Sequence, residues 1–211
     1  MSAAWLVPLE AVRTNLTVVN SRFISSLAPA GNVTEARHYI QVIRKEFPDA
    51  THHVPAFIIG GGNSATESCS DDGEPSGTAG RPILTVLKGS GLGNVVLVIS
   101  RWFGGTQLGT GGLVKAYTEA AQQALRLVKP AREVLVHRLE LTLPYPLYER
   151  VKLETAAIGA TIVHENFDEA VHLAIELAVE SLADYQRRLD SLSSGRLQPT
   201  IVDSGIRRRP A

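Results

Sequence analysis

At 211 residues, with 44% hydrophobic and 20% charged side chains, the chain is long enough for two modest cores and too apolar to be disordered throughout. Its 21 basic and 21 acidic residues cancel, so no overall field draws it to nucleic acid or to a membrane surface, and any such binding must come from a local patch. No run approaches the roughly 18 apolar residues of a membrane span, no export signal opens the chain, and the single cysteine, Cys69, excludes an internal disulfide or a multi-cysteine zinc site, which together predict a cytoplasmic protein without membrane contact.

Arg22 to Ala28 reads as a strand. Asn32 followed by Glu35 is a helix-start signature, and Ala36, Tyr39, Ile40, Ile43 and Phe47 then recur at helical spacing until Pro48. Val54 to Ile59 reads as a second strand, in which Pro55 withholds a ladder donor and so predicts an edge position. After Gly60-Gly61-Gly62, residues 60–80 predict a long polar loop. Loops beyond about 12–15 residues are uncommon in compact domains and are often functional. Arg81 to Lys88 predicts a short helix closed by Gly89, Val95 to Ser100 a buried strand, and Leu113 to Val128 a long helix before Pro130.

The remaining chain reads strand (Arg138 to Leu143), helix (Pro146 to Ile158), strand (Thr161 to Glu165), strand (Val171 to Val179), helix (Leu182 to Leu192) and strand (Thr200 to Val202). That βαββαβ order predicts a ferredoxin-like sandwich, with two helices on one face of a four-stranded sheet and the other face free for a protein partner. The expected fold class is therefore α+β, with domains at 1–134 and 135–211, and Arg207-Arg208-Arg209 as a basic, mobile tail. Residues 1–134 carry 12 basic and 10 acidic side chains and 135–211 carry 9 and 11, so the body of the second domain is acidic once the tail is set aside.

Two clusters could carry chemistry. The first runs Ser70-Asp71-Asp72-Gly73-Glu74-Pro75-Ser76-Gly77-Thr78-Ala79-Gly80. Its three carboxylates suit capping of backbone amides, contact with a partner, or a hard cation such as magnesium; all three uses stay open. Cys69 beside these acids reads as an ordinary loop thiol, because neighbouring negative charge raises a thiol pKa. The second cluster, from Gly104 and Gly105 through Gly109 to Gly112, joins a buried strand to a helix. Exposed amides there suit a phosphate or carboxylate, while glycine equally serves positive φ and close packing. The stretch matches neither a P-loop nor a dinucleotide fingerprint. Arg101 and Lys115 flank it and suit an anion, but Arg101 is equally suited to an internal bridge to Asp72 or Glu74. Of His52 and His53, neighbours in a strand, only one can face the polar loops. One of Trp102 and Phe103 is expected in the core, and the other could stack on a base.

The run from Ser70 to Pro82, followed by Val96-Leu97-Val98-Ile99-Ser100-Arg101-Trp102-Phe103-Gly104-Gly105 and Leu108-Gly109-Thr110-Gly111-Gly112-Leu113-Val114-Lys115-Ala116-Tyr117, resembles the signature of the IMPACT family in its bacterial, YigZ-type form. Ser21-Arg22-Phe23-Ile24, Ala50-Thr51-His52 and Ala56 are also similar. The resemblance implies a first domain like the second domain of small-subunit ribosomal protein five and a second domain like the fifth domain of elongation factor G. Eukaryotic relatives regulate translation through a stress-response kinase pathway and carry an additional N-terminal protein-binding domain, which this chain is expected to lack. What the resemblance implies here is a translation-linked or RNA-linked role. Carried across by motif, the family surface comprises His52, Asp71, Asp72, Gly73, Glu74, Arg101, Gly104, Gly105 and Gly109, with Lys115 from the bacterial-type pattern.

The expected function is therefore a noncatalytic regulator that binds RNA, a ribosome-associated component or another phosphate-bearing partner through the His52 to Lys115 surface, without a cofactor. A magnesium-dependent enzyme acting on a phosphorylated substrate is the alternative, with Asp71, Asp72 and Glu74 as ligands and Arg101 or Lys115 against developing charge. It ranks second because no complete nucleophile, base and orienting group is visible. A protein-interaction module on the second domain's free sheet face is the third.

Overall fold

The uninterrupted apolar run Val95-Val96-Leu97-Val98-Ile99 is buried on both of its faces in the computed structural model, which describes residues 5–211. It forms the centre of one of two units into which the chain divides, Glu133–Arg207 making the second unit and residues 5–132 with Arg208–Ala211 the first. In the first unit the strands are β1 (Val7–Pro8), β2 (Val12–Val18), β3 (Ser21–Pro29), β4 (His52–Ile59), β5 (Thr66–Cys69) and β6 (Val95–Trp102). Its helices are α1 (Val33–Glu46), α2 (Gly80–Gly89) and α3 (Gly109–Arg126). Strands β2 to β6 form one sheet in the order β2-β3-β6-β4-β5, antiparallel at every pairing.

Strand periodicity explains the layers. Val95, Leu97 and Ile99 pack with Ile83 and Leu87 of α2 and with Leu113, Tyr117 and Ala120 of α3, while Val96 and Val98 pack with Ala36, Ile40 and Ile43 of α1. With helices on both sides, β6 needs no polar positions before its end. Helix α1 begins where expected: Asn32 Oδ1 accepts the Glu35 N–H at 2.9 Å, and Glu35 Oε2 accepts the Gly31 N–H at 2.8 Å.

Three expectations need correction. Residues 60–80 are not wholly loop, since a short 3₁₀ turn (Gly62–Ser64) and β5 lie within them. Strand β5, Thr66-Glu67-Ser68-Cys69, is exposed throughout and edges the sheet, so it carries no apolar pattern to betray it. For that reason Pro55 is not on an edge strand; β4 lies between β6 and β5. The Pro55 carbonyl accepts the Ser70 N–H at 3.1 Å, and in an antiparallel strand a residue's two backbone groups point the same way. The missing donor therefore faces the end of the β5 ladder, and pairing with β6 is untouched.

The second unit is built on β7 (Pro130–Leu143), α4 (Tyr148–Ala157), β8 (Thr161–Phe167), β9 (Val171–Ala178), α5 (Leu182–Ser193) and β10 (Thr200–Pro210). The first residues of β7 and the last of β10 belong to the first unit, where Val7 pairs with Ala131 and the Ala211 N–H donates to the Pro130 carbonyl at 3.0 Å. Strand order is β10-β7-β9-β8, the ferredoxin-like arrangement. Leu139, Leu141, Leu143, Leu173, Ile175 and Leu177 form the helix-covered face, packed on Val151, Tyr185 and Leu189. The third correction concerns the tail: Arg207, Arg208 and Arg209 lie within β10, and Arg207 pairs with Glu176 at 3.1 Å. Among the described residues no helix is long and apolar enough to cross a membrane.

Candidate functional site

Register places the charged end of the first sheet. Arg101 lies opposite Phe23 on one side and His52 on the other, so three side chains from β3, β6 and β4 share the face that carries α2 and α3. Arg101 is 5% exposed, and burial of a guanidinium requires partners. Its Nη1 donates to Glu74 Oε1 at 2.7 Å and its Nη2 to Ser21 Oγ at 3.3 Å. Tyr117 Oη donates to the same Glu74 oxygen at 2.6 Å; burial and then Glu74 push its phenol pKa up, so it remains a donor. His52 Nε2 stands 3.9 Å from Glu74 Oε2, and its Nδ1 meets the Asp72 carbonyl at 2.8 Å. The Arg101 Nε is buried without a hydrogen-bond partner among the described residues.

The acidic loop spends its carboxylates in three directions. Asp71 accepts the N–H groups of Gly77 at 2.8 Å, Ala79 at 3.1 Å and Gly80 at 2.8 Å, which caps the start of α2. Burial raises its pKa, but those amides and Arg81 outweigh burial and hold it below the usual carboxylate range. Asp72 accepts the His53 N–H at 2.7 Å and pairs with Arg44 of α1. Burial again opposes ionisation there, and Arg44 with the His53 amide overrides it. Asp72 and Gly73 both have positive φ, 47° and 87°, which swings Glu74 back beneath α3 toward Arg101. Among the described residues no three histidine, cysteine or acidic side chains converge to hold a metal ion. Burial, then Asp71, raises the pKa of the exposed Cys69 thiol.

The glycine-rich turn has two kinds of glycine. A Cβ on Gly104 would lie 2.0 Å from the Asn20 backbone, so Gly104 allows close packing. Gly105 and Gly109, with φ of 82° and 69°, face open space and provide backbone freedom. Helix α3 starts at Gly109, and among the described residues no side chain accepts from its first N–H groups. Against that helix start lies a cavity of about 370 Å³ whose walls include Glu74, Arg101, Phe103, Gln107, Leu108 and Thr110.

Of the ten residues expected from sequence, Glu74, Arg101 and Gly109 line this cavity. His52 lies beside Glu74, and Gly73 backs onto the His52 ring. Asp71 and Asp72 are turned to α2 and α1. Gly104 and Gly105 frame the turn, and Lys115 is exposed outside the cavity wall. Sequence reasoning did not single out Gln107, Leu108 or Thr110, nor Tyr117, Ser21 and Arg44 as partners. The first three lay in plain view between the glycines. Neither Trp102 nor Phe103 lies in the core as expected: Trp102 is half-buried at the end of β6, donating to Asp49 at 2.9 Å and packing on Phe47, and Phe103 is 48% exposed. A further cavity of about 420 Å³ in the second unit is walled by Glu154, Asp184, Arg187 and Arg188, but these charges pair with one another at 2.8–2.9 Å.

Fold and site together define a two-unit α+β protein with a cavity at a helix start of its first unit. The chain belongs to the IMPACT family: the Impact N-terminal domain matches residues 19–125, and the domain of unknown function DUF1949 matches residues 141–196. It is 35% identical to IMPACT family member YigZ of Escherichia coli, across 95% of this chain and 98% of that one. It is also 35% identical to an IMPACT family member of Haemophilus influenzae, across 96% and 99%. A crystal structure described as that of a hypothetical protein shares 35% identity and a TM-score of 0.62, covering 94% of this chain and 97% of its own.

Proposed function

We propose that this chain is a cytoplasmic, translation-linked regulator whose first unit binds a phosphate-bearing partner, RNA foremost, at the start of α3. The carrying observation is a helix start whose first N–H groups meet no side-chain acceptor among the described residues and which opens on a cavity of about 370 Å³ walled in part by Arg101. Helix starts attract anions through exposed amides and the helix dipole. Translation enters through family membership. Glu74 and Ser21 hold Arg101, Tyr117 holds Glu74, Gly105 and Gly109 let the backbone turn, and Lys115 adds positive charge on α3. The enzyme alternative has less support, because Asp71, Asp72 and Glu74 serve different elements.

The test is affinity for short single-stranded RNA across a salt series, in the native chain and in Thr110→Glu. Each phosphate contact contributes a log-log slope of about −0.7 for a single strand, so affinity is expected to fall steeply with salt. A carboxylate in the first turn of α3 suits the helix dipole, so Thr110→Glu keeps or raises the melting temperature while weakening RNA binding. No binding at low salt, or equal binding by the variant, overturns the proposal.

A further inference from the structure

Phe103 is a large ring left 48% exposed in the wall of a largely apolar cavity. Its backbone is not loose, since the Phe103 N–H donates to Thr51 Oγ1 at 3.1 Å and the ring lies 5.7 Å from the Arg101 guanidinium carbon. Pro75, Leu108 and Leu113 supply further apolar wall, and Gln107 offers both a donor and an acceptor. The cavity wall thus combines two chemistries, backbone amides at the start of α3 and an aromatic ring with apolar neighbours. Its volume, about 370 Å³, falls within the size of small-ligand pockets, roughly 300–1,000 Å³.

We infer that this cavity takes one nucleotide unit, with the phosphate on the α3 amides and the base stacked on Phe103. The inference rests on the phosphate reading above and adds the base. Every base has a π face, so a stacking ring gives affinity with little sequence preference. Glu74 does not repel the phosphate strongly, because Arg101 and Tyr117 already occupy its Oε1.

Calorimetric titration of the full chain with adenosine 5′-monophosphate, ribose 5-phosphate and adenosine separates the two claims. The monophosphate is expected to bind about 5-fold to 100-fold more tightly than ribose 5-phosphate, the range that one stacked base contributes. Phe103→Leu, at an exposed position, should keep its melting temperature and its affinity for ribose 5-phosphate while losing the preference for the base. Equal binding of the monophosphate and ribose 5-phosphate overturns the stacking inference and leaves the phosphate reading standing. Equal binding of the monophosphate and adenosine overturns the phosphate reading, and no binding by any of the three overturns both.

Discussion

Arg101 shows how one residue can have its role set by distant chain segments. Sequence left it between an anion contact and an internal bridge, and the structure gives the bridge to Glu74, with Asp72 taken instead by Arg44. The choice depends on register between three strands and on two positive-φ residues in the acidic loop, neither of which local pattern reveals. Removing one member of a buried pair strands the other charge. Arg101→Ala is therefore expected to cost about 3–5 kcal/mol of stability, read from urea denaturation. The double variant Arg101→Met with Glu74→Leu should recover much of that loss, since no charge remains buried. Equal losses in single and double variants would contradict this account.

His53 behaves differently from its neighbour. It is buried on the α1 face, where Nδ1 meets Ser100 Oγ at 2.9 Å, and burial followed by Arg44 pushes its pKa down despite Asp72 and Asp49 nearby. With a depressed folded-state pKa, the unfolded chain takes up the proton first as pH falls. Stability is thus complete above about 6.5, the ordinary histidine value, and declines below it. Melting temperatures from pH 8 to 5 should show that decline in the native chain and a shallower one in His53→Gln.

At the scale of elements, the two helix starts beside the site contrast: Asp71 caps α2, and among the described residues no side chain accepts from the first N–H groups of α3. The glycines around α3 separate by the same logic. Gly104→Ala forces a Cβ into the Asn20 backbone and is expected to cost about 1–3 kcal/mol, whereas Gly111 has open space around it and ordinary φ. Gly111→Ala should accordingly stabilise by about 0.5–1 kcal/mol in thermal or urea unfolding. Elements with a strong apolar signature, such as β6, α1 and α3, were legible in sequence. Strand β2 was missed although its exposure alternates residue by residue, because its inward positions are only half-buried and two of its outward ones are ordinary threonine and asparagine. Strand β10 was cut short because Asp203-Ser204-Gly205, at its middle, reads as a turn.

For the molecule as a whole, the order of elements was enough to recover two α+β units and the ferredoxin-like second half. Their cores are separate clusters, with Leu139, Ile175 and Tyr185 in one and Leu97, Ile83 and Tyr117 in the other. Separate cores predict a broadened or double calorimetric transition, with a van't Hoff enthalpy below the calorimetric one; equality of the two would show coupling into one cooperative unit.

The path of β10 bears on the order in which the chain is made. Arg208–Ala211 complete the first unit, closing on Pro130, yet they follow the whole of Glu133–Arg207. A growing chain emerges from its N-terminus. The first unit must therefore wait, with that backbone carbonyl unpaired, until everything in the second has been synthesised. Early folding of residues 5–132 yields a provisional form, and its last stitch arrives only when residues beyond 207 leave the ribosome.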